Sequence, residues 1–163
     1  QRQMCIRDRY NLSESAEDAV WKSEIDPEWT VIVLFSDDEL YAKVAKIFDN
    51  LGIAFADLVS KTIFVDGQEV ESQNLGDDHL LAIEAHEISH SLLNHGGSDR
   101  GMAAYDERQE READWLAIRI LENLGYGEAS AILEKRYNEY YDEQSSELEN
   151  TDALEVALQD YVN

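Results

Sequence analysis

The chain has 163 residues, enough for one domain with a real core and too few for two comfortable ones. Its 44% apolar and 9% aromatic content excludes a disordered tail, and its single Cys excludes both a disulfide framework and a thiolate metal site. A net charge of −23 argues against nucleic-acid backbones and anionic membranes as partners, because phosphate contacts need Lys and Arg. No run approaches the roughly 18 apolar residues of a membrane span, and no signal-peptide pattern appears. A soluble, cytoplasmic protein is expected. The acids are spread along the whole chain, which reads as solubility, with a DNA mimic that occupies a basic partner as the sharper alternative.

Residues 1–10 are locally basic and aperiodic and read as a non-native leader that includes Cys5. Residues 13–25 suggest a short helix capped by Ser13 and ended by Pro27. Trp29 to Phe35 is continuously apolar and β-branched, the pattern of a strand buried on both faces. Ser36-Asp37-Asp38-Glu39 opens a helix to about Asn50, with Leu40, Val44, Ile47 and Phe48 inward and Gly52 past its end. Thr62 to Val65 reads as a second strand. Asp66-Gly67 is a type I′ hairpin signal, with Gln68 to Glu71 as a short returning strand.

Asp77 and Asp78 are N-cap candidates for the next helix, in which Leu81, Ala85, Ile88 and Leu92 recur at helical spacing. Gly96-Gly97 is its expected stop. A Gly-containing loop over 96–106, with Tyr105 near its end, leads to a helix from about Glu107 to Asn123. That helix carries Glu110, Ala113 or Asp114, Ala117, Leu121 and Leu124 on one face, and Gly125 closes it. Residues 127–142 look helical, with Leu133, Tyr137 and Tyr140 or Tyr141 at core spacing. An acidic tail, 144–163, holds a further helix over 152–161 packed by Leu154, Leu158 and Tyr161. The class is α+β: a small sheet followed by helices.

Chemistry concentrates in His86-Glu87-Ile88-Ser89-His90. Helical residues four apart lie one above the other, so both imidazoles project from one face at a spacing that suits one zinc ion. A catalytic zinc needs a third protein ligand and one open position. Glu110 is the best candidate, with Glu107 the competitor. Asp114, one turn on, faces the same way and can accept the second ring N–H of a histidine ligand. Zinc lowers the pKa of its bound water towards about 7, and Glu87 can take that proton and return it to a leaving amine. For the developing oxyanion Tyr105, His95 and Tyr126 are candidates, Tyr105 first because its loop joins the two ligand helices. Otherwise, His95 reads as a histidine facing a helix C-terminus. His79 reads as a surface residue, and Trp115 as packing. A strand near the site, Thr62 to Val65, could pair with an extended peptide.

His86-Glu87-Ile88-Ser89-His90 followed by Glu110-Arg111-Glu112-Ala113-Asp114 resembles the paired histidine and glutamate helices of gluzincin metallopeptidases. It looks most like the minimal ImmA/IrrE-type zinc peptidases, in which a small sheet precedes the motif helix. The likeness covers residues 30–124 in order of elements and is sharp only in the two motifs; the Leu-Met-Pro ending common after the glutamate helix is absent. It implies a zincin-like domain over 11–143, Zn2+ held by His86, His90 and Glu110, Glu87 as general base, Asp114 behind His86, and a protein or peptide substrate. The competing class is a non-enzymatic acidic interaction protein, either a zinc-stabilised scaffold or the DNA mimic. Oligomeric state is open on either reading.

Overall fold

The computed structural model describes residues 19–95, 107–141 and 151–162. It is α+β, and its contacts divide the chain into two compact units, Gln1–Leu80 and Leu81–Asn163.

The first unit is built on four strands, β1 (Ala19–Lys22), β2 (Thr30–Leu34), β3 (Ala54–Asp57) and β4 (Thr62–Asp66), in the order β1-β2-β4-β3. β2 and β4 are the central pair and run parallel, from Thr30 opposite Thr62 to Leu34 opposite Asp66. Their side chains explain the placement. Val31, Val33, Ile63 and Val65 share one face and are fully buried, whereas Ile32 and Phe64 on the opposite face are half-buried, so the expected burial on both faces is complete on one only. A parallel pair needs a crossover, which helix α1 (Glu39–Leu51) and β3 provide. α1 ends at Gly52, whose positive φ of 99° lets its N–H return to the Phe48 carbonyl. Leu40, Tyr41, Val44 and Ile47 pack on a cluster of Leu34, Phe48 and Phe55. Phe55 and Phe64 face each other across β3 and β4 and stack at 5.1 Å, and Phe48 adds a third ring 5.2 Å from Phe55.

Three expectations for this unit are corrected. The helix expected over 13–25 is strand β1 at Ala19–Lys22, paired antiparallel with β2; its earlier part, Ser13 included, lies outside the described residues. Pairing with β2 overrides the weak local periodicity. Pro27 sits in the connection between these strands, where the Ser23 N–H meets the Trp29 carbonyl at 3.0 Å. Next, the hairpin at Asp66-Gly67 is a helix start. Asp66 has φ −75°, not the positive value of a type I′ turn, and its carboxylate accepts from the N–H groups of Gln68 (3.0 Å) and Glu69 (3.3 Å), capping helix α2 (Gly67–Ser72). Third, β4 already has a strand on each side, so Thr62 to Val65 cannot take an added peptide strand; β1 and β3 hold the edges.

Gly67 is needed for space rather than for φ. A Cβ there would lie 2.6 Å from Phe35 Cε1 and 2.9 Å from the Leu34 carbonyl oxygen. Gly67→Ala is expected to lower stability by about 1–3 kcal/mol, as overpacking does. An unchanged denaturation midpoint would show that this contact yields freely.

Helix α3 (Asp77–Leu92) carries the chain from the first unit into the second, which continues with α4 (Glu107–Leu124), α5 (Gly127–Tyr140) and α6 (Thr151–Val162). α5 and α6 both pack on α4. Leu116, Ala117, Ile120 and Leu121 of α4 are fully buried, with Ala129 and Leu133 of α5 and Leu154 of α6. Leu158 and Tyr161 are half-buried, as expected, and Tyr137 and Tyr141 meet edge to face with ring centroids 5.1 Å apart while Tyr140 is exposed. Leu92 and Leu124, expected inward, are exposed.

α3 stops before Gly96-Gly97. Asn94 takes φ 55°, the Asn94 N–H reaches the Ser91 carbonyl, and the His95 N–H reaches the His90 carbonyl at 2.9 Å. These two bonds form a Schellman cap with asparagine in the left-handed position. Gly125, at φ 84°, closes α4 in the same way, as expected. Among the described residues no helix is long and apolar enough to cross a membrane.

Candidate metal centre

The site lies wholly in the second unit. α3 presents His86 and His90 one turn apart, and the first turns of α4 present Glu110. The two Nε2 atoms are 3.1 Å apart. Glu110 Oε2 lies 3.2 Å from His86 Nε2, and Glu110 Oε1 lies 3.4 Å from His90 Nε2. Together these three residues could hold a metal ion. Glu107, the competing acid, is exposed at the start of α4.

Both histidines are held from behind through Nδ1. The His86 Nδ1–H donates to Asp114 Oδ1 at 2.7 Å, and Asp114 is fully buried. A buried carboxylate needs a cation, and α5 supplies it: Arg136 Nε donates to Asp114 Oδ2 at 3.1 Å and its Nη2 to Oδ1. His90 Nδ1 lies 3.0 Å from His95 Nδ1, and His95 Nε2 lies 3.0 Å from Glu112 Oε2. His95 and Glu112 are both buried. A cavity of about 140 Å³ touches His95 and Glu112 but none of the three metal-type residues.

Charge follows this geometry. Burial alone would push His86 down, but its hydrogen bonds to Asp114 and Glu110 prevail and lift its pKa to about 9. Burial likewise opposes ionisation of Glu110 and Asp114. The imidazoles of His86 and His90 nevertheless hold Glu110 well below the usual carboxylate range, and His86 and Arg136 do the same for Asp114. His95 is pushed down, first by burial and then by His90, against the pull of Glu112.

A pH dependence follows for the metal-free protein. The folded-state pKa of His86 lies above its ordinary 6.5, so its stabilisation is complete below about 6.5 and is lost as pH rises through about 9. The Glu110 and Asp114 contributions run the other way: present above the ordinary carboxylate range, lost in strong acid. Thermal melts of metal-free protein are expected to fall in midpoint between pH 6.5 and 9. A metal ion would take the place of that proton, so the fall should be much smaller with metal bound. A flat profile in the metal-free state would remove the buried ion pair from the account.

His86, His90, Glu110 and Asp114 converge as expected, and Glu87 is half-buried beside His86 in the chain. Tyr105 and the Gly-containing loop lie outside the described residues. Tyr126 sits past the far end of α4 from Glu110, a helix length of roughly 20 Å, too far to serve an oxyanion at the metal. His95 stands at the C-terminal end of α3, as expected, and its two ring nitrogens meet His90 and Glu112. His79 accepts from the Gly76 N–H at 3.4 Å, and Trp115 packs under Arg119 at 5.5 Å. Arg136 and Glu112 were not foreseen.

In comparisons with known proteins, no family model, no curated protein and no solved structure matches this chain.

Proposed function

We propose that the protein is a zinc-dependent metallopeptidase that hydrolyses peptide bonds with Glu87 as general base. One observation carries this reading: the His86 and His90 Nε2 atoms stand 3.1 Å apart, and each faces its own oxygen of Glu110, at 3.2 and 3.4 Å. Ligands about 2.0–2.1 Å from a tetrahedral zinc are separated by roughly 3.3 Å. Two imidazoles and a carboxylate are also the donor set of catalytic rather than structural zinc, and they leave a fourth position for substrate chemistry. When bound there, zinc would supply Lewis acidity towards the scissile carbonyl and make water a stronger acid.

The chain's own residues supply the rest. Asp114 keeps the Nδ1 atom of His86 engaged, so that its Nε2 faces inward. Glu87 takes no part in the donor triangle, which leaves its carboxylate available to accept a proton from the attacking water and pass it to the leaving amine. Resemblance to gluzincins, and within them to the ImmA/IrrE-type peptidases, agrees with this assignment through the same motifs.

The test is zinc per chain in purified protein, together with hydrolysis of an unfolded protein substrate before and after chelation. About one zinc per chain and activity that chelator removes and zinc restores are expected. No zinc after metal is supplied at neutral pH would overturn the reading in favour of an acidic binding protein.

A further inference from the structure

The second unit buries a pair of titratable groups that the proposed chemistry does not use, His95 and Glu112. The Glu112 side chain is 8% exposed, its Oε2 meets His95, and among the described residues its Oε1 has no hydrogen-bond partner. A carboxylate buried with so few bonds is costly, and an apolar residue would fill the same space more cheaply. Its one described hydrogen bond points, through His95, at His90.

Proton placement allows one arrangement if His90 offers Nε2 to a metal. Its proton then sits on Nδ1 and is donated to His95 Nδ1, which must be bare. The proton of His95 therefore sits on Nε2, where Glu112 Oε2 accepts it. Every contact is a donor facing an acceptor, and the opposite tautomer of either ring would set two hydrogens or two lone pairs against each other. The Schellman cap at Asn94 places the His95 backbone beside His90, through its N–H bond to the His90 carbonyl five residues back in the chain.

We propose that His95 and Glu112 are positioning residues of the metal centre, with Glu112 setting the tautomer of His95 and His95 holding the Nε2 lone pair of His90 towards the ion. This rests on the metal-site reading above. It makes the two sides unlike: His86 is held by a carboxylate paired with Arg136, and His90 by an imidazole relay.

The experiment compares zinc affinity by chelator competition, and the visible spectrum of the cobalt(II) form, in the parent, His95→Ala, His95→Gln and Glu112→Leu. His95→Ala is expected to weaken zinc binding by about 10–100-fold and to alter the cobalt spectrum, as loss of a partner behind a ligand does. Gln offers a carbonyl to His90 and an amide N–H to Glu112, so His95→Gln should recover most of the affinity. Glu112→Leu should fall between them. Side-chain nitrogen NMR of the zinc-loaded parent should place protons on His90 Nδ1 and His95 Nε2, a reading that stands even where a variant fails to fold. A parent that binds one zinc but shows the other tautomers, or a His95→Ala protein with unchanged affinity and spectrum, overturns the proposal while leaving the metal site intact. Equal losses in the Ala and Gln variants reduce His95 to packing and overturn it too. A parent that binds no metal overturns both readings at once.

Discussion

Glu87→Gln is expected to leave the metal content unchanged and to lower peptide hydrolysis by about 10²–10⁴-fold, the range that a positioned general base supplies. The substitution keeps shape and size and removes only the capacity to carry a proton. Because Glu87 is half-buried and outside the donor triangle, stability should move by less than about 0.5 kcal/mol. The measurement is kcat against zinc per chain on the same preparation. Normal cleavage by the variant would end the role assigned to Glu87. Loss of zinc would instead place Glu87 among the ligands.

The second large effect belongs to Glu110. Glu110→Ala is expected to reduce zinc binding from about one per chain to near zero at micromolar protein, since two imidazoles alone make a poor site. Glu107→Ala serves as its control, because Glu107 is exposed one turn before the site and should retain full metal content. A reversal of these two results would transfer the third ligand to Glu107. In metal-free protein Glu110→Ala also removes one of the two carboxylates that keep His86 protonated, so the His86 pKa should fall from about 9 towards its ordinary 6.5. Histidine proton titration by NMR reads that shift directly.

What was legible in the chain was what short-range spacing encodes. His86 and His90 share a helix face because four residues make just over one turn, and Glu110 with Asp114 repeats the arrangement on α4. The β2 strand declared itself by an apolar run, and α1 and α6 by their periodicity. What stayed hidden depends on partners distant in the chain or on residues of ambiguous type. Glu112 is one acid among Glu107, Glu110 and Asp114 on one helix, and no pattern separates the one that meets His95. Arg136 lies beside Lys135, and only the packing of α5 on α4 selects it to neutralise Asp114. Asp66-Gly67 misled because a cap followed by a tightly packed glycine has the same two letters as a hairpin turn. His95 was readable in part: an asparagine before it is a recognised helix stop, although the two glycines that follow are the stronger stop signal in the sequence.

The parallel pairing of β2 with β4 also sets an order of events during folding. Thr30 meets Thr62 only after the intervening chain has closed, whereas β1–β2 and β3–β4 are local antiparallel pairs joined by short connections. Closing the longer loop costs more chain entropy before any contact rewards it. The two outer pairs are therefore expected to form early and the central seam late. Conservative truncations at Val31 or Ile63 should then mainly accelerate unfolding, while changes in the Phe55–Phe64 pair should slow folding itself. Stopped-flow kinetics of such variants would reveal the opposite order if the seam mutations retarded folding instead.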